Sequence, residues 1–327
     1  MKYYQQGFTL LEVFIALVIG LILFSGVLTL FVGMKITSKQ TTSLGELQES
    51  GRVAISLFTN ELLHQNFWGD FTGVFDSASI QHKLSSPKNE CHGGGVNNGS
   101  FPKNVTPTAA NHFRTLWGQT VRNKKQLGCI TNAKTGSSAT NDNSDIIQLK
   151  RVIGEDVEHI YPEYYYLTAN QYTGKILKGG QATLDNSRSW KYQHHIYYVK
   201  NEKSGGAVIP VLMEGKLTRG AIRFAPIIDG IEIIRFMYGV DTDNNGVANV
   251  YLSADNMPST YWDQTSHSRI VAIQFFVLVR NIREDMKYTN SNVYQIGDVT
   301  VTFNDHYRRL LFSSTVNLLN VISVVSS

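Results

Sequence analysis

Charge and cysteine are scarce in this sequence, and no long basic run occurs. Only 17% of its 327 residues are charged, and the formal net charge is +4. Because no five consecutive basic residues occur, electrostatics gives weak support for nucleic-acid binding. No Gly-x-Ser-x-Gly, phosphate-binding glycine loop or His-Glu-x-x-His is present either. The sequence therefore gives no motif for catalysis, and we expect a protein that is not an enzyme.

Proline is rare as well, with seven residues in the chain and none between residues 8 and 66. Residues 13–34 form an apolar run without a single charge. A helix of that length covers roughly 33 Å, enough to cross the hydrocarbon core of a bilayer. Glu12 stands at the start of this run, with no Lys or Arg within one helical turn. A carboxylate in lipid costs about 3 kcal/mol, so its partner is expected from another chain.

Beyond residue 34 the pattern becomes amphipathic. Apolar or small residues recur at spacings of three and four, the signature of one buried helical face: Leu44, Leu47, Gly51, Ala54, Phe58 and Leu62. We therefore predict one continuous helix of about 58 residues that ends near Asn66. Its first half would span the membrane and its second half would pack against a sheet.

The stretch from Gly7 to Glu12, Gly-Phe-Thr-Leu-Leu-Glu, resembles the class III signal of type IV prepilins and type II secretion pseudopilins. The resemblance implies that a prepilin peptidase cuts after Gly7 and methylates the new amino terminus of Phe8. Glu12 would then neutralise the terminal amine of a neighbouring subunit. The alternatives are an uncleaved anchor or an ordinary signal peptide. An ordinary signal, however, is cleaved after its apolar core, whereas Gly7 precedes it.

Further stretches resemble minor pilins of the PilW type: residues 48–54, 61–69, 225–241, 270–281 and 307–320. That family tends to carry an arginine and Ala-Gly where this chain has His64-Gln-Asn. It often ends in Arg-Asn, whereas here Leu319 precedes Asn320. Residues 70–225 are left largely without a match.

The expected fold is α+β and pilin-like, a long helix packed on an antiparallel sheet. The predicted domains are a leader (1–7), a membrane or filament-core half of the helix (8–34), its amphipathic half (35–66) and a β-rich periplasmic headpiece (67–327) with a loop-rich insert (70–144). Alternation and turn residues predict strands at 146–152, 163–169, 190–200, 207–213, 227–240, 248–253, 270–279, 299–303 and 312–321. Short connections favour antiparallel pairing.

The only two cysteines, Cys91 and Cys129, lie in the insert. An oxidising compartment favours a disulfide between them over two unpaired thiols. Such a bridge would stabilise the fold by about 4 kcal/mol in the chain-entropy model. We also expect one short helix at 109–117. The insert is either a binding surface or packing material, and the sequence does not decide which.

Asp241, Asp243 and Asn245, with Gly246 after them, resemble the opening of an EF-hand calcium loop. The twelfth position, however, holds Leu252 in place of the bidentate glutamate. The alternative is a polar turn between two strands, and no cofactor other than this calcium ion is expected.

Three clusters of polar or aromatic residues are interpreted as structural. The neighbours His194 and His195 would point to opposite faces of a strand and cannot chelate together. The tyrosines at 164–166 and 197–198 are expected to pack in the sheet. Arg308 and Arg309 are expected to be a solvated pair rather than a contact for anionic partners.

The resemblance implies a minor pilin that helps to initiate type IV pilus assembly in a tip or priming complex. Its partners would be the prepilin peptidase, other minor pilins, the major pilin and the assembly platform of the bacterial inner membrane. It would sit in that membrane with its headpiece in the periplasm, and at the pilus tip or in the filament after assembly. The alternatives are a type II secretion pseudopilin and an adhesin or DNA-binding tip pilin.

Overall fold

A computed structural model describes residues 7–73, 75–103, 113–122, 127–130, 140–263 and 268–320. The chain divides into two compact units, Met1–Gln48 and Glu49–Ser327. One long helix, α1 (Leu10–Leu63, 54 residues), contributes residues to both units. In the described part, the first unit consists of residues 10–48 of this helix and the three residues before it. The second unit contains the end of α1 and all the strands.

The helix α1 measures about 81 Å at 1.5 Å of rise per residue. It ends three residues before the predicted position, in a turn that includes a hydrogen bond from the Gln65 amide to the Leu62 carbonyl. Asn66 then adopts a left-handed backbone conformation, with φ of 61°. Asparagine tolerates this conformation better than most residues, which explains why the helix stops here.

The larger sheet has eight strands. They are β1 (Ile80–His82), β2 (Leu116–Thr120), β3 (Asp145–Ile153), β4 (Tyr165–Ala169), β5 (Gly174–Lys178), β6 (Arg188–Ser204), β7 (Ala207–Thr218) and β8 (Ala221–Asp229). Their order is β1-β5-β4-β6-β3-β2, and the second half of β6 also pairs with β7, which pairs with β8. Every pairing is antiparallel except that of β1 with β5.

Both faces of this sheet are covered near its centre, as β3 shows. Arg151 on β3 bonds to Glu61 of α1, whereas its neighbour Lys150 points to the opposite face and bonds to Asn98 of the insert. Eight of the nine residues of β3 are consequently buried. The described part of the insert therefore packs against the second face of the sheet.

A second sheet of four antiparallel strands follows, in the order β10-β9-β11-β14. Its strands are β9 (Ile231–Asp241), β10 (Val250–Ser253), β11 (Arg269–Arg280) and β14 (Arg309–Asn317). A separate hairpin, β12 (Val293–Ile296) with β13 (Val299–Thr302), packs Tyr294 and Ile296 on Ile233 and Leu278 of this sheet. A one-turn helix, α2 (Ser259–Trp262), lies before β11. The architecture is the predicted α+β arrangement, a long helix packed on antiparallel sheets.

Two local predictions were wrong. The predicted strand at 227–240 is the end of β8 and most of β9, because the chain turns at Gly230. A Cβ there would lie 2.7 Å from the Arg280 carbonyl oxygen, and φ is 83°, so glycine is required. The predicted helix at 109–117 is not present over its described part, because Leu116 and Trp117 begin β2 and pair with β3. Residues 109–112 lie outside the described residues.

Candidate assembly site

The backbone around the predicted cleavage position is exposed and not helical. Gly7, Phe8 and Thr9 precede α1, and all three are exposed. A peptide bond inside a helix is tied into the hydrogen-bond ladder, whereas the Gly7–Phe8 bond is open to an extended binding mode. The geometry is therefore compatible with cleavage at the predicted bond.

Thr9 and Glu12 form a reciprocal capping box at the start of α1. The Thr9 backbone amide and hydroxyl both donate to Glu12 Oε2, each at 3.0 Å, and the Glu12 amide donates to Thr9 Oγ1 at 3.3 Å. This pattern satisfies two of the amides that a helix start leaves unpaired. The sequence signal for it is the Thr-x-x-Glu spacing, which was not recognised as a capping motif.

The partner predicted for Glu12 in another chain stays a prediction. Among the described residues the Glu12 carboxylate accepts hydrogen bonds only from Thr9, both at Oε2. Its second carboxylate oxygen, Oε1, accepts no hydrogen bond from the described residues. The carboxylate can therefore keep its role in capping the helix and still accept a hydrogen bond from a cation supplied by a second molecule.

The first half of α1 is apolar on all sides and exposed. None of its 18 most apolar consecutive residues is buried in the protein. Large side chains from Leu10 to Met34 are exposed around the whole helix. A contiguous apolar surface of this size needs lipid or other apolar helices around it. The helix is thus long and apolar enough to cross a membrane.

The second half of α1 holds the headpiece through aromatic contacts. The Phe58 ring packs edge-on against three rings, with centroids 5.5 Å from Tyr197, 5.3 Å from Phe236 and 5.7 Å from Phe275. Tyr197 belongs to the larger sheet, and the two phenylalanines belong to the second sheet. One helical side chain therefore joins both sheets, at an apolar position that the sequence pattern had placed on the buried face.

A buried ion pair fixes the end of the helix. Arg151 donates two parallel hydrogen bonds to the Glu61 carboxylate, at 2.7 and 2.8 Å, and a third to the Glu61 carbonyl oxygen. His195 Nδ1 lies 3.0 Å from Glu61 Oε2. Burial raises the pKa of Glu61, but the hydrogen bonds and positive charge of His195 and Arg151 outweigh it and lower this pKa to about 2. Sequence reasoning missed the pair, because its partners lie 90 residues apart.

The insert is fastened by a disulfide and by buried polar contacts. Cys91 and Cys129 form the predicted bridge. The fully buried Lys150 ammonium donates to Asn98 Oδ1 and to the Arg114 carbonyl oxygen, both at 2.7 Å. Burial lowers the pKa of Lys150 to about 7. The disulfide thus closes the insert on itself, and buried hydrogen bonds hold its described part to the larger sheet.

The proposed calcium loop has the hydrogen bonds of a polar turn. The Asp241 carboxylate accepts bonds from the amides of Asp243, Asn245 and Gly246, at 3.1, 3.3 and 2.7 Å. Asn245 Nδ2 donates to Asp243 Oδ2 at 3.0 Å. No group of three His, Cys, Asp or Glu residues in the described part of the chain could hold a metal ion. Calcium binding stays a prediction, to be tested by thermal unfolding with and without the ion.

Both histidines of the central strand are buried and point to opposite faces of the sheet. His194 Nδ1 lies 2.9 Å from Ser100 Oγ in the insert, and His195 faces Glu61 of α1. Burial, with smaller contributions from Lys150 and His195, lowers the pKa of His194 well below its usual value. The arrangement cannot chelate one ion, as the strand alternation predicts.

The structure corrects the interpretation of Arg309. This side chain is buried and donates to the carboxylates of Glu232 at 2.5 Å and Asp305 at 2.6 Å. Arg308 pairs with Asp285 at 3.1 Å and is one-third exposed. Only Arg308 therefore fits the expected solvated position. The alternation of strand β14 turns Arg309 inward, where the distant Glu232 and the nearby Asp305 neutralise it.

Comparison with known families gives two matches. Residues 2–28 match the prokaryotic N-terminal methylation motif, and residues 196–320 match the family described as type IV pilus-assembly protein W. The two matches support a PilW-type, pilin-like protein. No curated protein and no solved structure matches it.

The two matches cover different parts of the chain. The first contains Gly7, Phe8 and Glu12, and it reaches into the apolar half of α1. The second begins inside β6, earlier than the sequence resemblance suggested, and runs to the end of the described residues. Neither covers 29–195, where the disulfide and the insert lie. The matched parts are thus the start of α1, the second half of β6 with β7 and β8, and the whole second sheet with its hairpin.

Proposed function

We propose that this chain is a minor pilin that takes part in the initiation of type IV pilus assembly, within a priming complex at the filament tip. The observation that carries the proposal is an exposed class III signal directly before an apolar helix that continues into a folded headpiece. Such a helix can wait in the bilayer and then exchange lipid contacts for contacts with other helices.

The proposed location and partners follow from this arrangement. The apolar half of α1 anchors the chain in the bacterial inner membrane, and the headpiece lies in the periplasm, where its disulfide forms. The prepilin peptidase acts first, at Gly7. Other minor pilins, the major pilin and the inner-membrane assembly platform are the later partners. A headpiece of residues 67–327 is bulky for a repeated subunit, and a tip position accommodates it.

The proposed role is structural rather than catalytic. Specificity comes from the headpiece, while helix packing and neutralisation of Glu12 provide the attraction between subunits. Titratable groups of perturbed pKa, such as Glu61 and Lys150, are engaged in structural hydrogen bonds among the described residues. They hold the insert and the helix to the sheet.

Deletion of the gene, followed by complementation, tests the proposal. We expect the deletion strain to lose surface pili and the wild-type gene to restore them. Gly7→Ala should fail to restore them because the chain stays uncleaved, and Glu12→Ala should fail because the neighbouring amine has no counterion. Full piliation with both variants would contradict the proposal. A secretion defect in strains with normal pili would instead identify a type II secretion pseudopilin.

A further inference from the structure

The edge strands of the two larger sheets differ in how they are protected. Exposed sheet edges are usually short, charged or interrupted by proline, because an open edge pairs with other chains. The strands β1 and β10 have three and four residues. The strand β2 lies beside the short 3₁₀ turn Ala254–Asn256. The nine-residue β8 carries Arg223, Pro226 and Asp229. Among the described strands, four of the five edges are therefore short or protected.

The strand β14 is the exception. All nine of its residues pair with β11, from Arg309 opposite Arg280 to Asn317 opposite Ala272. In the described part of the chain, no strand pairs with its other side. From Leu310 to Asn317 it contains neither charge nor proline, and Ser313 and Thr315 are exposed. Its free amides and carbonyls are complemented in full only by another extended backbone.

This edge is held in place before any partner arrives. Phe312 contacts α1 at Gly51, Arg309 pairs with Glu232, and the Asn320 side chain donates to the Gln65 carbonyl oxygen at 3.3 Å. A strand that is already ordered loses little conformational entropy when a second strand binds to it. The edge is therefore a preformed surface for strand addition.

The direction of β14 indicates which kind of strand can bind. The chain runs in the same direction as the end of α1 from Phe312, near Gly51, to Asn320, near Gln65. Between Phe312 and Asn317 this is about 17 Å of extended backbone, beside about 18 Å of helix between Gly51 and Leu63. Antiparallel pairing of two β14 strands from identical chains would point their helices in opposite directions. Two chains anchored in one membrane by the same signal cannot satisfy that arrangement. A strand from a different subunit carries no such restriction.

We infer that the free edge of β14 accepts a strand from the headpiece of a different pilin-like subunit anchored in the same membrane. The inference rests on the proposed function, because α1 brings such subunits side by side and β14 lies against α1. Backbone hydrogen bonds give the affinity, and the uncharged side chains of β14 favour an uncharged partner strand. Strand addition thus supplies a headpiece contact that complements the association of the apolar helices.

Site-specific photocrosslinking in living cells tests this inference. A photoreactive phenylalanine analogue replaces Thr315 in the full-length protein, and a matched control places it at Ala225, on the protected edge of β8, which is also exposed. Mass spectrometry then identifies the crosslinked peptide. At position 315 we expect a crosslink to a strand of another protein, one that carries its own class III signal. At position 225 we expect no such crosslink.

A second pair of variants measures the consequence for assembly. Ser313→Lys with Thr315→Lys places two charges on the free edge, and Ala225→Lys is the matched control. We expect at least a tenfold loss of surface pili for the double variant and none for the control, with equal protein levels and melting temperatures. Full piliation with the double variant would overturn the inference. The inference would also be overturned if no crosslink formed at position 315. The same holds if that crosslink joined a second copy of the chain or this chain's own residues beyond Asn320.

These outcomes are separate from those that test the proposed function. If Gly7→Ala abolishes piliation while the doubly charged edge leaves it normal, the proposed function stands and only the inference about β14 fails. If Gly7→Ala leaves piliation normal, the proposed function fails whatever position 315 contacts.

Discussion

Phe312 of β14 occupies the space that any side chain at position 51 would need. A Cβ atom built on Gly51 would lie 2.1 Å from the nearest carbon of the Phe312 ring. The helix and the second sheet therefore approach each other as closely as they do because residue 51 is glycine. This contact lies in the last part of α1, which belongs to the second compact unit.

Gly51→Ala should accordingly destabilise the headpiece, although alanine favours helices. We expect a loss of about 1–3 kcal/mol from the displaced ring, larger than the helix-propensity gain of up to about 1 kcal/mol. Gly45→Ala is the matched control, since a Cβ there meets nothing within 4 Å. Chemical unfolding of the full-length protein in detergent measures both. A Gly51→Ala variant as stable as the wild type would contradict the packing.

Arg151→Met should cost more than any surface substitution on the helix. It leaves the Glu61 carboxylate buried without its bidentate donor, for which we expect a loss of about 3–5 kcal/mol. The control is Arg52→Met, because Arg52 and Glu49 form an exposed pair on the same helix with exposed fractions of 78% and 58%. That change should stay within about 0.5 kcal/mol. Equal effects of the two substitutions on the unfolding free energy would refute a special role for the buried pair.

Acid should weaken the headpiece partly through Glu61. Its pKa is about 2 in the folded chain against an ordinary value of 4.5 when the chain is unfolded, so its stabilising contribution is complete above pH 4.5. The contribution is lost as pH falls from about 4.5 to 2 and amounts to about 3 kcal/mol. Glu61→Gln should therefore show a shallower fall in unfolding free energy over this range than the wild type. Parallel curves for the two proteins would mean that Glu61 does not carry the effect.

Lys150 should also make stability rise with pH, in a higher pH range. Its pKa is about 7 in the folded chain against an ordinary value of 10.5, so between these values the unfolded chain binds more protons and stability rises with pH. We expect the wild type to gain a few kcal/mol between about pH 7 and 9.5, and Lys150→Met to lack most of this gain. The difference between the two slopes is the measurement. A wild-type stability that is flat over this range would exclude a depressed pKa.

Much of the fold could be predicted from the sequence because its signals are local. The absence of proline and the periodicity of Ala54, Phe58 and Leu62 predict α1, and alternation predicts most strands after residue 145. The strands β1, β2, β5 and β12 were missed, since each has five residues or fewer and depends on partners elsewhere in the chain.

The buried polar contacts could not be predicted, because they depend on pairs that are distant in sequence. Nothing near Lys150 indicates that Asn98 and Arg114 will surround its ammonium group. The burial of Arg309 likewise depends on Glu232, which lies 77 residues earlier in the chain. The capping box of Thr9 and Glu12, by contrast, was available in the sequence as a local spacing.

Processing at Gly7 is the central claim, and the mature amino terminus tests it most directly. The protein should be purified from membranes of its own host, without overproduction, and its N-terminal peptide analysed by mass spectrometry. The account predicts a chain shortened by seven residues from 327, beginning with an N-methylated Phe8, and an unshortened chain for Gly7→Ala. A native chain that begins at Met1 would contradict it.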